Sequence, residues 1–352
     1  MLKYYQSLKK FYNIIHHNIL LLVICSYILA TITPATGYWI KNYSFGSIKI
    51  HENLINFTLP AIMLAVLLFN AGLCIKLHDL RSISKYNKAL FIGIIGNTII
   101  PLVYLIMLSF IFRYLNDQAK AHDILVGVAV VASMPIAGSS TAWSKTSGGN
   151  LALSLGLVLL TTVISPLVTP VTLHAVGYQI YGGYSEELHN LAGGTVISFL
   201  IAWVIIPSIF GVIIRIFINQ TLYLLIDPYL NLINIGMLIL IIYSNASVYL
   251  PELISKPDIQ FILLALLSTS TLCIFMFFVG FQISKLFSLP PSEAASLTFG
   301  LGMNNNGSSL VLASTGLYSH PRVMLPIILY ILVQHICAAY IDRLISTIKN
   351  QY

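Results

Sequence analysis

The chain has 352 residues, of which 57% are hydrophobic and only 8% are charged. A soluble domain carries about 25% charged residues, so a soluble fold of this length is excluded and an integral membrane protein is indicated. The formal net charge of +7 comes from basic residues scattered between apolar runs. That pattern is typical of loops that set membrane topology and does not indicate a nucleic-acid partner.

Apolar runs long enough to cross a membrane recur along the whole chain. About 20 helical residues span the hydrocarbon core of a bilayer. Ten such runs are predicted, approximately at 18–38, 54–75, 88–112, 124–144, 150–175, 192–215, 229–249, 259–284, 293–315 and 323–346. Each is interpreted as a helix, because an open strand cannot satisfy its backbone in lipid. Spans four and nine are the least apolar, since both are rich in Gly, Ser, Thr or Asn.

The basic residues predict how these spans are oriented. With ten spans, both termini lie on the same side of the membrane. That side collects twelve of the 18 Lys and Arg residues, and the opposite side collects six. The excess places both termini in the cytoplasm.

Neither the cysteines nor the N-terminal segment indicates a different class of protein. Cys25, Cys74, Cys273 and Cys337 all lie in apolar segments without a CxxC spacing, so a disulfide framework or zinc site is not expected. The first apolar run has no clear small-residue cleavage site, and it is interpreted as a membrane span and not as a signal peptide.

A short motif occurs once in each half of the chain. Span four contains MPIAGSS at 134–140 and span nine contains MNNNGSS at 303–309, so the two copies lie 169 residues apart. The starts of spans one and six lie about 174 residues apart. This agreement favours a duplication of five spans, whose second copy must enter the membrane inverted because five is odd. Inverted repeats with a broken helix at the same place in each half are typical of secondary transporters, with the site near the bilayer midplane.

Residues 134–170, MPIAGSSTAWSKTSGGNLALSLGLVLLTTVISPLVTP, resemble the fourth and fifth helices of the bile acid:sodium symporter family. GMNNNG at 302–307 resembles the GMQNSG signature of that family in helix nine. FNAGLCIKLHDL at 69–80 and WVIIPSIFGVIIR at 203–215 are similar to its helices two and six. The resemblance spans most of the chain.

The resemblance implies a single all-α transporter domain over residues 1–352, built from two inverted five-helix repeats at 18–175 and 192–346. Panel helices are expected at 18–75 and 192–249, and core helices at 88–175 and 259–346. Helices four and nine are expected to be broken and to cross in the core. Family members move an organic anion by alternating access, driven by sodium. We therefore expect sodium as coupling ion, no other cofactor, lipid and a small organic anion as partners, and a location in the bacterial inner membrane.

Sodium prefers oxygen ligands, as other hard cations do. The family pattern carries over to a first sodium site at Ser140, Thr141 and Ser154. It carries over to a second site at Asn97, Gly300, Leu301, Met303 and Asn304. The substrate-facing part of the crossing is expected at Ser139, Asn305, Asn306 and Gly307.

Two positions depart from the family pattern. Val158 replaces a threonine ligand of the first site, and Gly300 replaces a glutamate that normally serves both sites. Glu293 lies seven residues before Gly300, too far along the helix to substitute. Without that negative charge, sodium binding is expected to be weaker, reduced to one site, or absent.

Several alternatives stay open at this point. The polar residues of the crossing can serve interhelical hydrogen bonds without an ion. Proton coupling would use His174 or His335, the in-membrane groups that titrate near neutral pH. Asn70, Asn234 and Asn245 are candidate substrate contacts, with helix packing as the more ordinary role. A channel or sensor that kept the fold is a further alternative. An enzyme is not expected, because HExxH, GxSxG and paired acids within spans are absent from the sequence.

Overall fold

A computed structural model describes residues 8, 11–12, 14–15, 18–50, 53–75, 82–180 and 183–349. In chain order its longer elements are α1 Ile19–Ile32, α2 Pro34–Asn42, β1 Ser44–Ile50, β2 Asn53–Thr58, α3 Leu59–Leu73, α4 Asn87–Phe112, α5 Gln118–Ala132, α6 Ser139–Thr146, α7 Leu151–Gly177, α8 Gly183–Asn190, α9 Val196–Leu200, α10 Ile206–Phe217, α11 Gln220–Ser255, α12 Ile259–Leu286, α13 Pro291–Gly302, α14 Asn306–Gly316 and α15 Met324–Lys349. Short π-helical segments at Leu191–Thr195 and Ile201–Ile205 flank α9.

Long apolar helices confirm the class of integral membrane protein. Within the described ranges, six helices are long and apolar enough to span a bilayer, and the bent pair α1 and α2 brings the number to seven if it forms one span. These correspond to predicted spans one, three, five, six, seven, eight and ten. Span two contains the 15-residue α3, and spans four and nine are each divided between two shorter helices. The ten-span inverted repeat therefore stays a prediction.

A β-hairpin departs from the all-α prediction. β1 pairs antiparallel with β2, with Ile48 opposite Ile55. The predicted start of span two at residue 54 is therefore wrong, because α3 begins only at Leu59. The hydroxyl of Thr58 accepts a hydrogen bond from the Ala61 N–H at 3.4 Å, as an N-cap does. Residues 53–58 include the β-branched Ile55 and Thr58 and the aromatic Phe57, residue types that favour a strand.

The chain divides into two compact units. The first comprises Met1–Leu77 and Ile201–Pro257, with α11 packed on α1, α2 and α3. Its α1 and α2 meet at an angle of 97°, because Pro34 disfavours helical geometry at the preceding Thr33. In the same unit α3 and α10 are in backbone contact. A β-carbon built on Gly72 would lie 2.1 Å from the Ser208 carbonyl oxygen, so a glycine is required there.

The second unit comprises His78–Leu200 and Asp258–Tyr352. Its α12 packs on α13 and α15, and its α4 packs on α7. Both pairs of short helices lie in this unit: α5 and α6, then α13 and α14. The candidate site is built on the two breaks between them.

Candidate ion and substrate site at the paired helix breaks

The first break separates α5, which ends at Ala132, from α6, which begins at Ser139. Pro135 lies between them. It has no N–H to donate to a helix, and it disfavours helical geometry at Met134. The sequence therefore ends α5 here and leaves polar backbone inside the unit, where Met134 and Ile136 are buried.

The second break separates α13, which ends at Gly302, from α14, which begins at Asn306. Asparagine side chains compete with the helical backbone for hydrogen bonds, and they favour helix starts over helix interiors. Asn305 takes that role, since its Oδ1 accepts from the Ser308 N–H at 3.2 Å. The asparagine run therefore ends one helix and caps the next.

The two breaks are joined by backbone hydrogen bonds. Ala137 N–H donates to the Met303 carbonyl at 2.9 Å, and Asn305 N–H donates to the Pro135 carbonyl at 2.9 Å. Buried backbone groups need partners, and each break supplies them to the other. The structure thus brings MPIAGSS and MNNNGSS together in one place.

Two further helices hold the centre of this pairing. Ile136 and Asn304 lie opposite each other as an isolated antiparallel bridge. The N–H of Ile136 donates to Oγ1 of Thr161 in α7 at 3.2 Å. The N–H of Asn304 donates to Oε1 of Gln334 in α15 at 2.9 Å. Each break is therefore braced by one polar side chain from a neighbouring long helix.

The pairing diverts backbone donors away from α13. In an unbroken helix the carbonyls of Gly300 and Leu301 would accept from the N–H groups of Asn304 and Asn305. Those two N–H groups donate instead to α15 and to the first break. Carbonyls released in this way at a half-helix C-terminus are the oxygens that bind small cations in broken-helix transporters. The Met303 carbonyl accepts one of the pairing bonds, so it has only one lone pair to offer.

Around the breaks lies a group of polar side chains that we call the crossing cluster. Each has a buried side-chain oxygen with no hydrogen-bond partner among the described residues. Its members are Asn97, Ser140, Thr141, Ser154, Asn304 and Asn306. Ser140 is fully buried and Ser154 is 1% exposed. A buried oxygen without a partner costs about 1–3 kcal/mol, so these positions favour an occupant that binds their oxygens.

Most of the predicted ligands belong to this cluster. Ser140, Thr141 and Ser154 are the whole of the predicted first sodium site, and Asn97 and Asn304 are the side-chain ligands of the predicted second site. Oxygen-only ligand sets suit hard cations, so these residues fit sodium.

The residues predicted to face substrate differ from one another in the structure. Ser139 is exposed at the start of α6, whereas Asn306 and Gly307 are buried in the first turn of α14. The Asn305 side chain serves as a helix cap. Of these four, Ser139 is the most accessible.

Gly300 lies in α13 among apolar side chains. A β-carbon built on it would lie 3.2 Å from Cδ1 of Leu157 and 3.6 Å from Cδ1 of Ile136. Only the backbone of Gly300 can contribute oxygen. In the part of the chain that the structure describes, no cluster of three or more His, Cys, Asp or Glu residues that could hold a metal ion was found.

The other candidates have ordinary partners. Asn70 donates through Nδ2 to Oδ1 of Asn234 at 2.8 Å, which ties α3 to α11. Asn245 donates through Nδ2 to the Ile241 carbonyl of its own helix, while its buried Oδ1 has no hydrogen-bond partner among the described residues. His174 lies with its Nδ1 2.7 Å from Nδ1 of His189. The bond between Asn70 and Asn234 agrees with packing roles for these two asparagines.

Sequence reasoning did not assign roles to Thr161 and Gln334, the two residues that brace the breaks. Gln334 had a signal, because an amide in the middle of an apolar span needs a partner. Thr161 gave a weaker sequence signal, because a threonine in a helix can satisfy its hydroxyl within that helix. Its hydroxyl indeed donates to the Leu157 carbonyl at 2.7 Å.

An apolar helical protein whose two broken helices meet around unsatisfied oxygens is an integral membrane protein of the transporter class. The chain belongs to the sodium bile acid symporter family, whose model matches residues 61–256. Members of this family are transporters and not enzymes.

Two proteins of Bacillus subtilis are similar to this chain. One, named uncharacterized protein YbaS, is 24% identical over 255 residues, covering 70% of this chain and 79% of that protein. The other, named uncharacterized sodium-dependent transporter YocS, is 22% identical over 254 residues, covering 72% of this chain and 73% of that protein. The similarity thus extends over most of both proteins.

Proposed function

We propose that this protein is a secondary active transporter that moves a small organic anion across the bacterial inner membrane by alternating access, coupled to sodium. Bile-acid-like compounds, keto acids and pantothenate-precursor-like acids are the substrate classes that family membership favours. The observation that carries the proposal is the crossing cluster, because buried oxygens without donors are acceptors held ready for a cation. The printed name of the relative YocS supports sodium dependence.

The proposed ion ligands follow the sequence prediction. The first site consists of Ser140, Thr141 and Ser154. The second consists of the side chains of Asn97 and Asn304 with backbone carbonyls of Gly300, Leu301 and Met303. The diverted donors of α13 support the carbonyl ligands, and the crossing cluster supports the side chains.

The proposed substrate contacts lie at the crossing, at Ser139, Asn305, Asn306 and Gly307. The N-termini of α6 and α14 begin within this set. The partial positive charge of a helix N-terminus favours an anion. The helix N-termini therefore support an anionic substrate even though no Lys or Arg lies near the middle of a predicted span. The division of the chain into two compact units supports a carrier with two subdomains.

Transport by the purified protein in liposomes tests the proposal. Organic anions are first screened by thermal shift with and without sodium, and any anion that stabilises the protein is then offered to proteoliposomes. We expect faster uptake with an inward sodium gradient than with an equal potassium gradient. Equal uptake in both, by a protein that responds to the anion, would exclude sodium coupling.

A matched pair of serines shows whether the cluster is responsible. Ser140→Ala removes a buried hydroxyl of the crossing cluster. Ser284→Ala removes an equally buried hydroxyl that donates to the Gly280 carbonyl of its own helix at 2.7 Å. We expect the sodium concentration that gives half-maximal uptake to rise about tenfold in Ser140→Ala. In Ser284→Ala it should stay unchanged.

Gly300 favours alternatives to sodium coupling. The protein would then be a carrier that is coupled to protons or uncoupled, or a channel or sensor with the same fold. A site without a carboxylate holds sodium less firmly. Counterflow distinguishes these alternatives, because a carrier exchanges labelled for unlabelled substrate across the membrane and a channel does not. Uptake that follows a pH gradient and ignores sodium would support proton coupling.

A further inference from the structure

Three exposed aromatic side chains, which we call the aromatic ladder, run from α2 into the β-hairpin of the first unit. The ring centroids of Trp39 and Tyr43 lie 5.1 Å apart, and those of Tyr43 and Phe45 lie 5.0 Å apart. The three side chains are nevertheless 58%, 40% and 62% exposed. A contiguous apolar patch at a protein surface marks an interaction site, so the ladder indicates a partner.

The lengths of the neighbouring helices place the ladder near a membrane boundary. α1 has 14 residues and α3 has 15, which corresponds to lengths of about 21 and 22 Å. The hydrocarbon core of a bilayer is about 30 Å thick, so a helix of this length that starts at one boundary ends about 8 Å short of the other. Therefore α2, which follows α1, and β2, which precedes α3, lie close to that second boundary.

The bend between α1 and α2 directs the chain along the membrane plane. The two helices meet at 97°, so an α1 that crosses the bilayer leaves α2 nearly parallel to the membrane surface. There α2 packs on α11, and a β-carbon built on Gly37 would lie 2.0 Å from Oγ of Ser247. The Tyr243 hydroxyl of α11 donates to the Thr33 carbonyl at 2.6 Å. The helix α2 is thus held against α11 and leaves Trp39 exposed.

Open strand edges keep the hairpin out of the hydrocarbon. In the described part of the chain, the sheet consists of β1 and β2 alone, so each strand has one open edge whose N–H and C=O groups need partners. Open edges that face lipid do not occur in the hydrocarbon region. In water, an isolated two-stranded hairpin is only marginally stable. The headgroup region meets both requirements, because it supplies water to the edges and an apolar boundary to the rings.

The two faces of the hairpin differ in polarity. Ile48 lies opposite Ile55, and both share a face with Phe57, because side chains alternate along a strand. The ring of Phe57 packs on that of Trp203, with 5.1 Å between centroids, whereas Ile48 is 53% exposed. The opposite face includes polar side chains, namely Ser47, Lys49 and Asn56. An apolar face beside a polar one is typical of segments that lie in the membrane interface.

We propose that the aromatic ladder and the hairpin anchor the first unit in the phospholipid headgroup region of one leaflet, the outer leaflet in the predicted orientation. Residues 34–50 contain two lysines, Lys41 and Lys49, and no acidic residue. Lysine stems lie along apolar surface while their ammonium groups reach lipid phosphates, so the charge of this segment also suits a phospholipid partner. The anchor requires neither a bound ion nor a substrate.

Depth-dependent quenching of Trp39 fluorescence tests the anchor. The full-length protein is reconstituted in vesicles of phosphatidylcholine and phosphatidylglycerol that carry a nitroxide either near the headgroup or near the end of the acyl chain. Separate samples receive iodide on both sides of the membrane. The chain has three tryptophans, so the emission of Trp39 is taken as the difference between the wild type and Trp39→Phe. We expect the shallow nitroxide to quench this emission at least about twofold more than the deep nitroxide or iodide does.

Two added tryptophans make the result independent of Trp39→Phe. Phe45→Trp puts an indole at the other end of the ladder, and Ser47→Trp is its matched control on the polar face. The added emission of each variant, measured against the wild type, should be quenched mainly by the shallow nitroxide at position 45 and mainly by iodide at position 47.

Three outcomes would overturn the anchor. Quenching of the ladder mainly by iodide would show that it lies in water, and quenching mainly by the deep nitroxide would show that it lies in the hydrocarbon. Protection from all three quenchers would show that protein, such as a second copy of this chain, covers it. Equal lipid quenching at positions 45 and 47 would contradict the assignment of the two faces.

Discussion

A side chain at position 300 would have little space, because a β-carbon there would lie 3.2 Å from Cδ1 of Leu157. Leu157 is the nearest obstacle, and it is the flexible end of a leucine that would have to give way. Leu301 and Asn304, which follow within the next turn and the break, carry the oxygens of the predicted second site. At the residue scale, we therefore predict that residue 300 determines how much negative charge the proposed second sodium site holds.

Gly300→Glu tests this directly. We expect the carboxylate to raise sodium affinity at least about tenfold, because a nearby opposite charge in a region of low dielectric stabilises a bound cation. Sodium binding to the purified protein is the measurement. Gly300→Ala adds only the β-carbon and is the control for packing. Unchanged affinity in a folded Gly300→Glu protein would show that no cation binds next to α13.

The side chains of the crossing were predictable from sequence to different degrees. Ser140, Ser154 and Asn304 follow from the Gly-Ser-Ser repeat and from the family resemblance. The braces Thr161 and Gln334 did not follow, because a bond from a side chain to a distant backbone N–H leaves no pattern in spacing. The cap at Asn305 shows why residue type alone does not predict a role, since the three adjacent asparagines lie in three different environments.

At the scale of elements, glycines determine how closely α3 and α10 approach. A β-carbon on Gly72 would meet the Ser208 carbonyl oxygen at 2.1 Å, and one on Gly211 would meet the Phe69 carbonyl oxygen at 2.0 Å. Neither backbone oxygen can move without shifting its helix. Small residues that allow backbones to touch are a common basis of helix packing in membranes.

Gly211→Ala is expected to destabilise the first unit by about 1–3 kcal/mol, because overpacking forces the helices apart. Gly236→Ala is the matched control. Gly236 lies in α11 of the same unit, and a β-carbon there meets nothing within 4 Å. Its substitution should be neutral or slightly stabilising, since alanine favours helices. Thermal unfolding in detergent measures both, and equal melting temperatures for the two variants would refute the packing argument.

The start of α12 gives a prediction about pH. Asp258 accepts from the Phe261 N–H at 3.1 Å, and its Oδ2 lies 2.8 Å from Nζ of Lys120. The hydrogen bond from Lys120 is the main cause that holds the pKa of this carboxyl below its ordinary value. A lowered pKa in the folded state stabilises the protein above the unfolded pKa and ceases to do so as pH falls through the folded value.

Wild-type protein should therefore lose stability below about pH 4. Asp258→Asn keeps an N-cap oxygen but removes the charge, so its melting temperature should depend less on pH in that window. Melting curves between neutral pH and pH 3 provide the comparison. An equal slope in both proteins would assign the acid sensitivity to other carboxyl groups.

The positions of breaks were easier to predict than the ends of helices. Pro135 and the asparagine run each interrupt an apolar span, and both interruptions occur in the structure. The start of span two was wrong, because hydropathy does not distinguish an apolar strand from the first turns of a helix. The hairpin would have required attention to the β-branched and aromatic residues within 53–58 and to Pro60 in the first turn of α3.

At the scale of the whole molecule, composition was sufficient to predict the class, whereas the orientation drawn from the Lys and Arg residues stays a prediction. The low content of charged residues excluded a soluble protein, and the long apolar helices confirm this. The number of spans was harder to establish, since broken helices fall below the length that marks a span. The paired motifs predict the duplication from sequence, but nothing in the sequence identifies the substrate, because its contacts depend on how distant segments come together.

The predicted orientation is testable with reporter fusions. A fluorescent protein at the C-terminus should fold and emit, because the charge bias places that terminus in the cytoplasm. A periplasmic phosphatase at the same position should be inactive. Reversing the bias, by moving basic residues from the loop between spans two and three to the opposite side, should lower the fluorescence. An active phosphatase fusion on the native chain would contradict the orientation.

The backbone pairing of the two breaks has a consequence for how such proteins diverge. The bonds between Ala137 and Met303 and between Asn305 and Pro135 use main-chain atoms alone, so many side chains can replace one another without disturbing them. A lineage can therefore change the side chains around the crossing by point substitution while the backbone framework that holds the crossing persists.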